Sequence, residues 1–181
     1  MVNAEAGPAA RPAPAAVVVA LGDLPPRLLP EVAAALAPAL GLGWKHGPPL
    51  DRPTYAWNAG RRQFHAPAVL RRLAGLRPAS GAPVLGLVDG DLFLPDDGDY
   101  VLFDADRDLG AAVVGLGRLG ADPVALRRRA QVQAVHALGH VLGLATCSDA
   151  RCAMHASNEP ADADRKAPAL CAGCRAVLGL P

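Results

Sequence analysis

The sequence predicts one mixed α/β layer, and three of its features say so. Short Val- and Leu-rich runs without polar interruption, 15–21 foremost, read as strands buried on both faces. Segments with helical apolar spacing and Pro near their first turn alternate with those runs. No internal period and no linker long enough to demand a second large domain divides the 181 residues.

Taken in order, residues 1–14 are rich in Ala and Pro and read as a disordered leader, which leaves 15–181 as a single folded domain. Ala15–Leu21 is the first strand. Asp23–Pro26 turns the chain, and Pro30–Leu40 is predicted as one helix. A second strand falls near Leu42–His46, followed by the loop Gly47–Pro53. Gln63–His65 suits an edge strand. Ala66–Leu76 is a helix with Arg61, Arg62, Arg71 and Arg72 on its solvent side. Pro83–Asp89, Tyr100–Asp104 and Ala111–Leu116 complete the strands. Pro123–Leu144 forms the longest helix, with Asp122 as N-cap and Pro123 at the first helical position.

About half of the residues are apolar, enough for one substantial core, and the few aromatics imply a core of Leu, Val and Ala. With 18 Lys and Arg against 17 Asp and Glu, a nucleic-acid partner held by a strongly basic surface is not expected. The apolar run 15–21 is too short for a membrane span and lacks a signal-peptide context, so a cytoplasmic protein with no membrane attachment is expected. In that reducing compartment, four clustered cysteines (Cys147, Cys152, Cys171 and Cys174) favour a metal over disulfides or free thiols. Four thiolates make a closed tetrahedral shell for a structural zinc.

The long helix carries a second candidate. His136-Ala137-Leu138-Gly139-His140 puts two imidazoles four residues apart, on one helix face, within reach of one ion. A metzincin protease adds a Glu directly after the first His as general base, and a Gly that turns the chain so that a third His reaches the zinc. Here Gly143 occupies the turn, but Ala137 stands at the base position and Thr146 at the third-ligand position.

The order His136-x3-His140, Gly143, Cys147-x4-Cys152-x-Met154, Cys171-x2-Cys174 resembles the signature of the archaemetzincins. Segments 53–65 and 85–93, together with Ser157-Asn158 and Asp164-Arg165-Lys166, are similar to the same family. The resemblance implies a metzincin-like zincin fold: a twisted mixed sheet with an active-site helix (15–145) and a short zinc-bound C-terminal subdomain (146–181). It implies a Met-turn at Met154, under a catalytic zinc bound by histidines, and a structural zinc on the four cysteines. It also implies a zinc-dependent metallopeptidase class, in which this chain departs at Ala137 and Thr146. The expected outcome is a pseudopeptidase that keeps one structural zinc, holds no second ion at the vestigial His136–His140 pair, and retains a cleft for a peptide or protein. The alternative is a working, aminopeptidase-like enzyme with an unconventional third ligand and base; His155 and Asp149 are the nearest candidates, and His155 reads better as a loop residue.

Three further signals are weaker. Gly115-Leu116-Gly117-Arg118-Leu119-Gly120 matches a dinucleotide fingerprint but lacks the acidic residue required about twenty positions later. Asp89, Asp91, Asp96, Asp97 and Asp99 crowd one loop without calcium-loop spacing and read as a solvated turn. Arg127-Arg128-Arg129 point in different directions around a helix, so a solvated face is expected.

Overall fold

The computed structural model describes residues 15–96 and 98–181; the leader expected at 1–14 lies outside them. In chain order, β1 (Ala15–Leu21) leads through α1 (Leu28–Ala33) and α2 (Leu36–Leu40) to β2 (Gly43–His46). A 3-10 turn (Thr54–Ala56), β3 (Trp57–Asn58), β4 (Gln63–His65) and α3 (Ala66–Ala74) follow. Then come β5 (Val84–Val88), β6 (Leu92–Phe93), β7 (Phe103–Asp106) and β8 (Ala111–Gly115). The chain closes with α4 (Pro123–Val141), a second 3-10 turn (Pro160–Arg165) and α5 (Ala172–Val177).

The main sheet has the order β2-β1-β5-β8-β7, parallel except for the antiparallel edge strand β7. Its three central strands, β1, β5 and β8, are apolar throughout because alternate side chains enter two different cores. Ala16, Val18, Leu85, Leu87, Ala112 and Val114 pack against α1, α2 and α4. Val17, Val19, Val84, Val88, Ala111 and Val113 pack against α3 on the other face. A small sheet, β3-β4-β6, flanks the second layer. Among the described residues no helix is long and apolar enough to cross a membrane.

Three expectations about elements change. The helix expected over Pro30–Leu40 is split, because Pro38 has no N–H to donate back to Ala34. The chain restarts as α2, with Pro38 inside a first turn where no such bond is needed. The strand expected at Tyr100–Asp104 moves to Phe103–Asp106: Val101 bridges Leu92 in the small sheet, and only from Phe103 does the chain pair with β8. Helix α4 ends at Val141, earlier than expected, because Gly143 takes φ +95°.

Candidate metal centres

Helix α4 is nucleated as its sequence suggests. The Asp122 carboxylate accepts from the Ala125 N–H at 2.8 Å, and Pro123 supplies no donor where none is needed. Its second half is almost entirely buried, so the two histidines are fixed by the packing of the whole helix. His136 and His140 lie with ring centroids 4.8 Å apart. His140 donates Nδ1–H to the Leu144 carbonyl at 2.9 Å, which leaves Nε2 with its lone pair free. Phe103 of β7 covers the flank of the pair, 4.6 Å from His136 and 6.0 Å from His140.

His136 is electrostatically distinct. Burial first, then the neighbouring His140, Lys166 and His155, push its pKa down to about 3. It is therefore neutral at physiological pH. Its Nδ1 is buried without a hydrogen-bond partner among the described residues, as are both amide atoms of Gln133 one turn earlier.

Met154, Gly143, Thr146, Ala137 and His155 follow around the pair. Met154 is fully buried directly beneath the helix: a Cβ on Gly139 would lie 2.3 Å from Met154 Sδ, so only glycine fits between the two histidines. Gly143 reverses the chain after α4, and the position that would return a third ligand is held by the exposed Thr146. Ala137 is completely buried in the core. His155 directs its Nδ1–H at the Cys147 carbonyl at 2.8 Å and forms no three-donor group with the pair among the described residues. Two imidazoles are thus the whole donor set here, since the one group of three or more His, Cys, Asp or Glu able to share an ion, among the described residues, is the cysteine cluster.

That cluster meets the requirements of zinc. The ligand atoms of Cys147, Cys152, Cys171 and Cys174 all lie within 4.8 Å of one another. Cys147 Sγ is 3.7 Å from Cys171 Sγ, and Cys152 Sγ is 3.8 Å from Cys174 Sγ. A tetrahedral ion with Zn–S bonds of about 2.3 Å needs sulfurs roughly 3.8 Å apart. Backbone N–H groups of Asp149, Cys171 and Cys174 point at three of the sulfurs, at 3.4–3.5 Å, where they stabilise thiolate charge. The N–H of Cys174 pulls the Cys171 thiol down to about 7, while burial pushes the Cys152 thiol up. The Cys147 N–H bonds the Met154 carbonyl at 2.9 Å, so the cluster and the floor beneath the histidines share one small loop.

Lys166, Arg128 and Arg129 hold this region together. Lys166 is buried and directs its ammonium at the His155 and Ala156 carbonyls and the Ser157 hydroxyl, closing the segment after Met154. Arg128 donates to the Lys166 carbonyl at 2.9 Å, and Arg129 makes a two-pronged pair with Asp164 at 2.6 and 2.8 Å. The solvated face expected for Arg127–Arg129 is solvent-accessible, and two of its three arginines also clamp the C-terminal segment onto α4. The glycine-rich run also serves packing. A Cβ on Gly117 would lie 2.3 Å from Asp91 Oδ1, and Arg118 pairs with that carboxylate at 2.8 Å.

Comparison with known proteins places these features. Residues 122–179, which span α4 and the four cysteines, match the model of peptidase family M54. Over 134 residues the chain is 35% identical to the archaemetzincin of Methanocaldococcus jannaschii, covering 70% of this chain and 72% of that protein. Over 177 residues it is 31% identical to the archaemetzincin of Thermococcus kodakarensis, covering 90% and 94%. The crystal structure of archaemetzincin from Methanopyrus kandleri superposes with a TM-score of 0.82 at 28% identity, covering 94% of this chain and 97% of that one.

Proposed function

Because this chain belongs to the archaemetzincin family of zinc metallopeptidases, peptidase family M54, we propose that it keeps the family's architecture and structural zinc while its cleft binds without cutting. The four cysteines would hold the ion as thiolates, tying the loop that carries Met154 to α5. A closed tetrahedral site of this kind contributes folding free energy on the order of 10 kcal/mol. Zinc supplies no catalytic chemistry there, because no coordination position is left open.

The cleft is argued from its donors. A hydrolytic zinc needs three protein ligands and a general base beside its water. His136 and His140 offer two imidazoles, Ala137 can accept no proton, and Thr146 is exposed and carries only a hydroxyl. That two-donor set is the observation that carries the proposal. What the residues present can do is bind: Phe103 lies against both histidines, and a cleft lined by Tyr100, Val101, Phe103, Ser157 and Asn158 opens beside that contact. We assign that cleft to an extended peptide or a partner protein. The second reading, a working peptidase with an unconventional third ligand and base, draws on the free Nε2 of His140 and the neutrality of His136, both ready to coordinate.

Metal analysis of the purified protein separates the two. The proposal expects one zinc per chain, unchanged by His136→Ala and His140→Ala together and lost with Cys174→Ser. Two zincs per chain, with peptide hydrolysis that a chelator stops, overturns it. Restoring Ala137→Glu with Thr146→His should then raise the count from one to two.

A further inference from the structure

One cavity lies away from the histidines. A pocket of about 690 Å³ is walled by the loop after β2 and by α3. Ala68, Arg71 and Arg72 of α3 face it, while Val69, Leu70 and Leu73 on the helix's opposite side are buried. Because α3 covers the sheet face opposite to α4, this pocket is a separate site from the cleft.

Its facing wall is held in place by the backbone. Leu50 donates to the Ala20 carbonyl at 2.9 Å and accepts from Gly22 at 3.0 Å, extending the parallel sheet by one bridge to Leu21. Arg52 follows directly, its guanidinium lying 5.6 Å from the Trp57 ring centre and 5.4 Å from that of Phe64. That stacking holds the group in place without satisfying its N–H donors. The 3-10 turn then brings Thr54 and Tyr55 to the rim, and Tyr55 is 58% exposed despite its size.

Most of the other described arginines end on acceptors within the protein, Arg27, Arg62, Arg107 and Arg151 being the exceptions. Arg118, Arg129 and Arg165 end on carboxylates, and Arg61, Arg77 and Arg175 on backbone carbonyls. Among the described residues, the guanidiniums of Arg52, Arg71 and Arg72 end on neither, although all three line one pocket. The single carboxylate on its wall, Asp51, is outnumbered three to one. Guanidinium forks match phosphate oxygens in pairs, and the volume falls within the range of small-ligand sites.

We propose that this pocket is a second binding site, for a ligand that presents a phosphate group to Arg52, Arg71 and Arg72, with the Tyr55 and Thr54 hydroxyls as further donors. Phosphate is favoured over a carboxylate because three guanidiniums can meet its several charged oxygens at once, whereas a carboxylate has two.

Calorimetric titration of the zinc-loaded protein at fixed ionic strength tests this, with inorganic phosphate, pyrophosphate, O-phosphotyrosine and acetate as probes. The site expects saturable binding of the phosphate-bearing probes, one per chain, with acetate weaker by about tenfold or more. Tighter binding of O-phosphotyrosine identifies a ligand that stacks on the pocket's aromatic rim, and tighter binding of pyrophosphate a free polyphosphate. Arg71→Ala with Arg72→Ala should weaken binding by about tenfold or more at an unchanged thermal midpoint. Arg127→Ala, on the opposite face, should leave it intact. No saturable binding, equal binding of acetate, or equal weakening by Arg127→Ala overturns the proposal. None of these outcomes bears on zinc stoichiometry, so the cleft is judged separately.

Discussion

The cysteine cluster and the histidine pair sit on the same short stretch of chain yet hold opposite shares of what a metal needs. In the cluster, four sulfurs stand at tetrahedral spacing with backbone N–H groups behind them. At the pair, two imidazoles keep their packing, orientation and glycine spacer but have neither third donor nor base. The difference follows from what each site does for the fold. Loss of a cysteine ligand would release the C-terminal segment, whereas loss of a catalytic carboxylate or a third histidine removes nothing from the core. Ala137 fills a buried position comfortably, and Thr146 is solvated.

This contrast can be broken or sharpened by measurement. The largest effect is expected from removing the zinc proposed for the cysteine cluster. Cys174→Ser or strong chelation should lower stability by several kcal/mol and make 146–181 sensitive to protease, with the sheet and α4 affected less. Limited proteolysis followed by mass spectrometry reads this directly. An equal response in all regions would show that the cluster is not a local staple.

Next comes the apolar floor. Met154→Ala, at a fully buried position, should cost about 2–5 kcal/mol by leaving a cavity under Gly139. Gly139→Ala should cost about 1–3 kcal/mol by overlap with the sulfur, read by denaturant titration.

The pH response is smaller at any one pH, but it identifies the pair. His136 takes up its proton near pH 6.5 when unfolded and only near 3 when folded. Between those values the unfolded state binds more protons, so stability falls as pH drops through this window, by at most about 1.4 kcal/mol per unit. His136→Phe should flatten that slope. Zinc beyond one equivalent that extends this slope to lower pH, as a metal-bound imidazole that takes up no proton requires, would mean the pair holds metal after all. The smallest effect belongs to the exposed Arg129–Asp164 pair, whose removal by Asp164→Asn should cost about 0.5–1 kcal/mol and lessen with salt.

Much of this was legible in the sequence because it depends on local rules. Asp122 and Pro123 announce the start of α4, the apolar runs announce strands covered on both sides, and the spacing of His136, His140 and the cysteines carries the donor geometry. What escaped depends on partners distant in sequence. Arg128 and Arg129 look solvated until the segment around Asp164 folds back onto them. Lys166 looks like an ordinary surface lysine until three oxygens of 155–157 close around it. Phe103 was placed mid-strand, but its contact with both histidines follows only from the pairing of β7 with β8. The split at Pro38 was locally readable, and helical spacing alone masked it.

The hydrogen bond from Cys147 to Met154 has a consequence for assembly. Met154 can be seated under α4 only when the loop it closes is held shut, and that loop is bound through sulfur to residues that follow well after the helix. A chain emerging from the ribosome would therefore complete its sheet and long helix first and set the floor of its groove last. Metal supply during synthesis, rather than the speed of chain elongation, would then decide how many copies mature correctly.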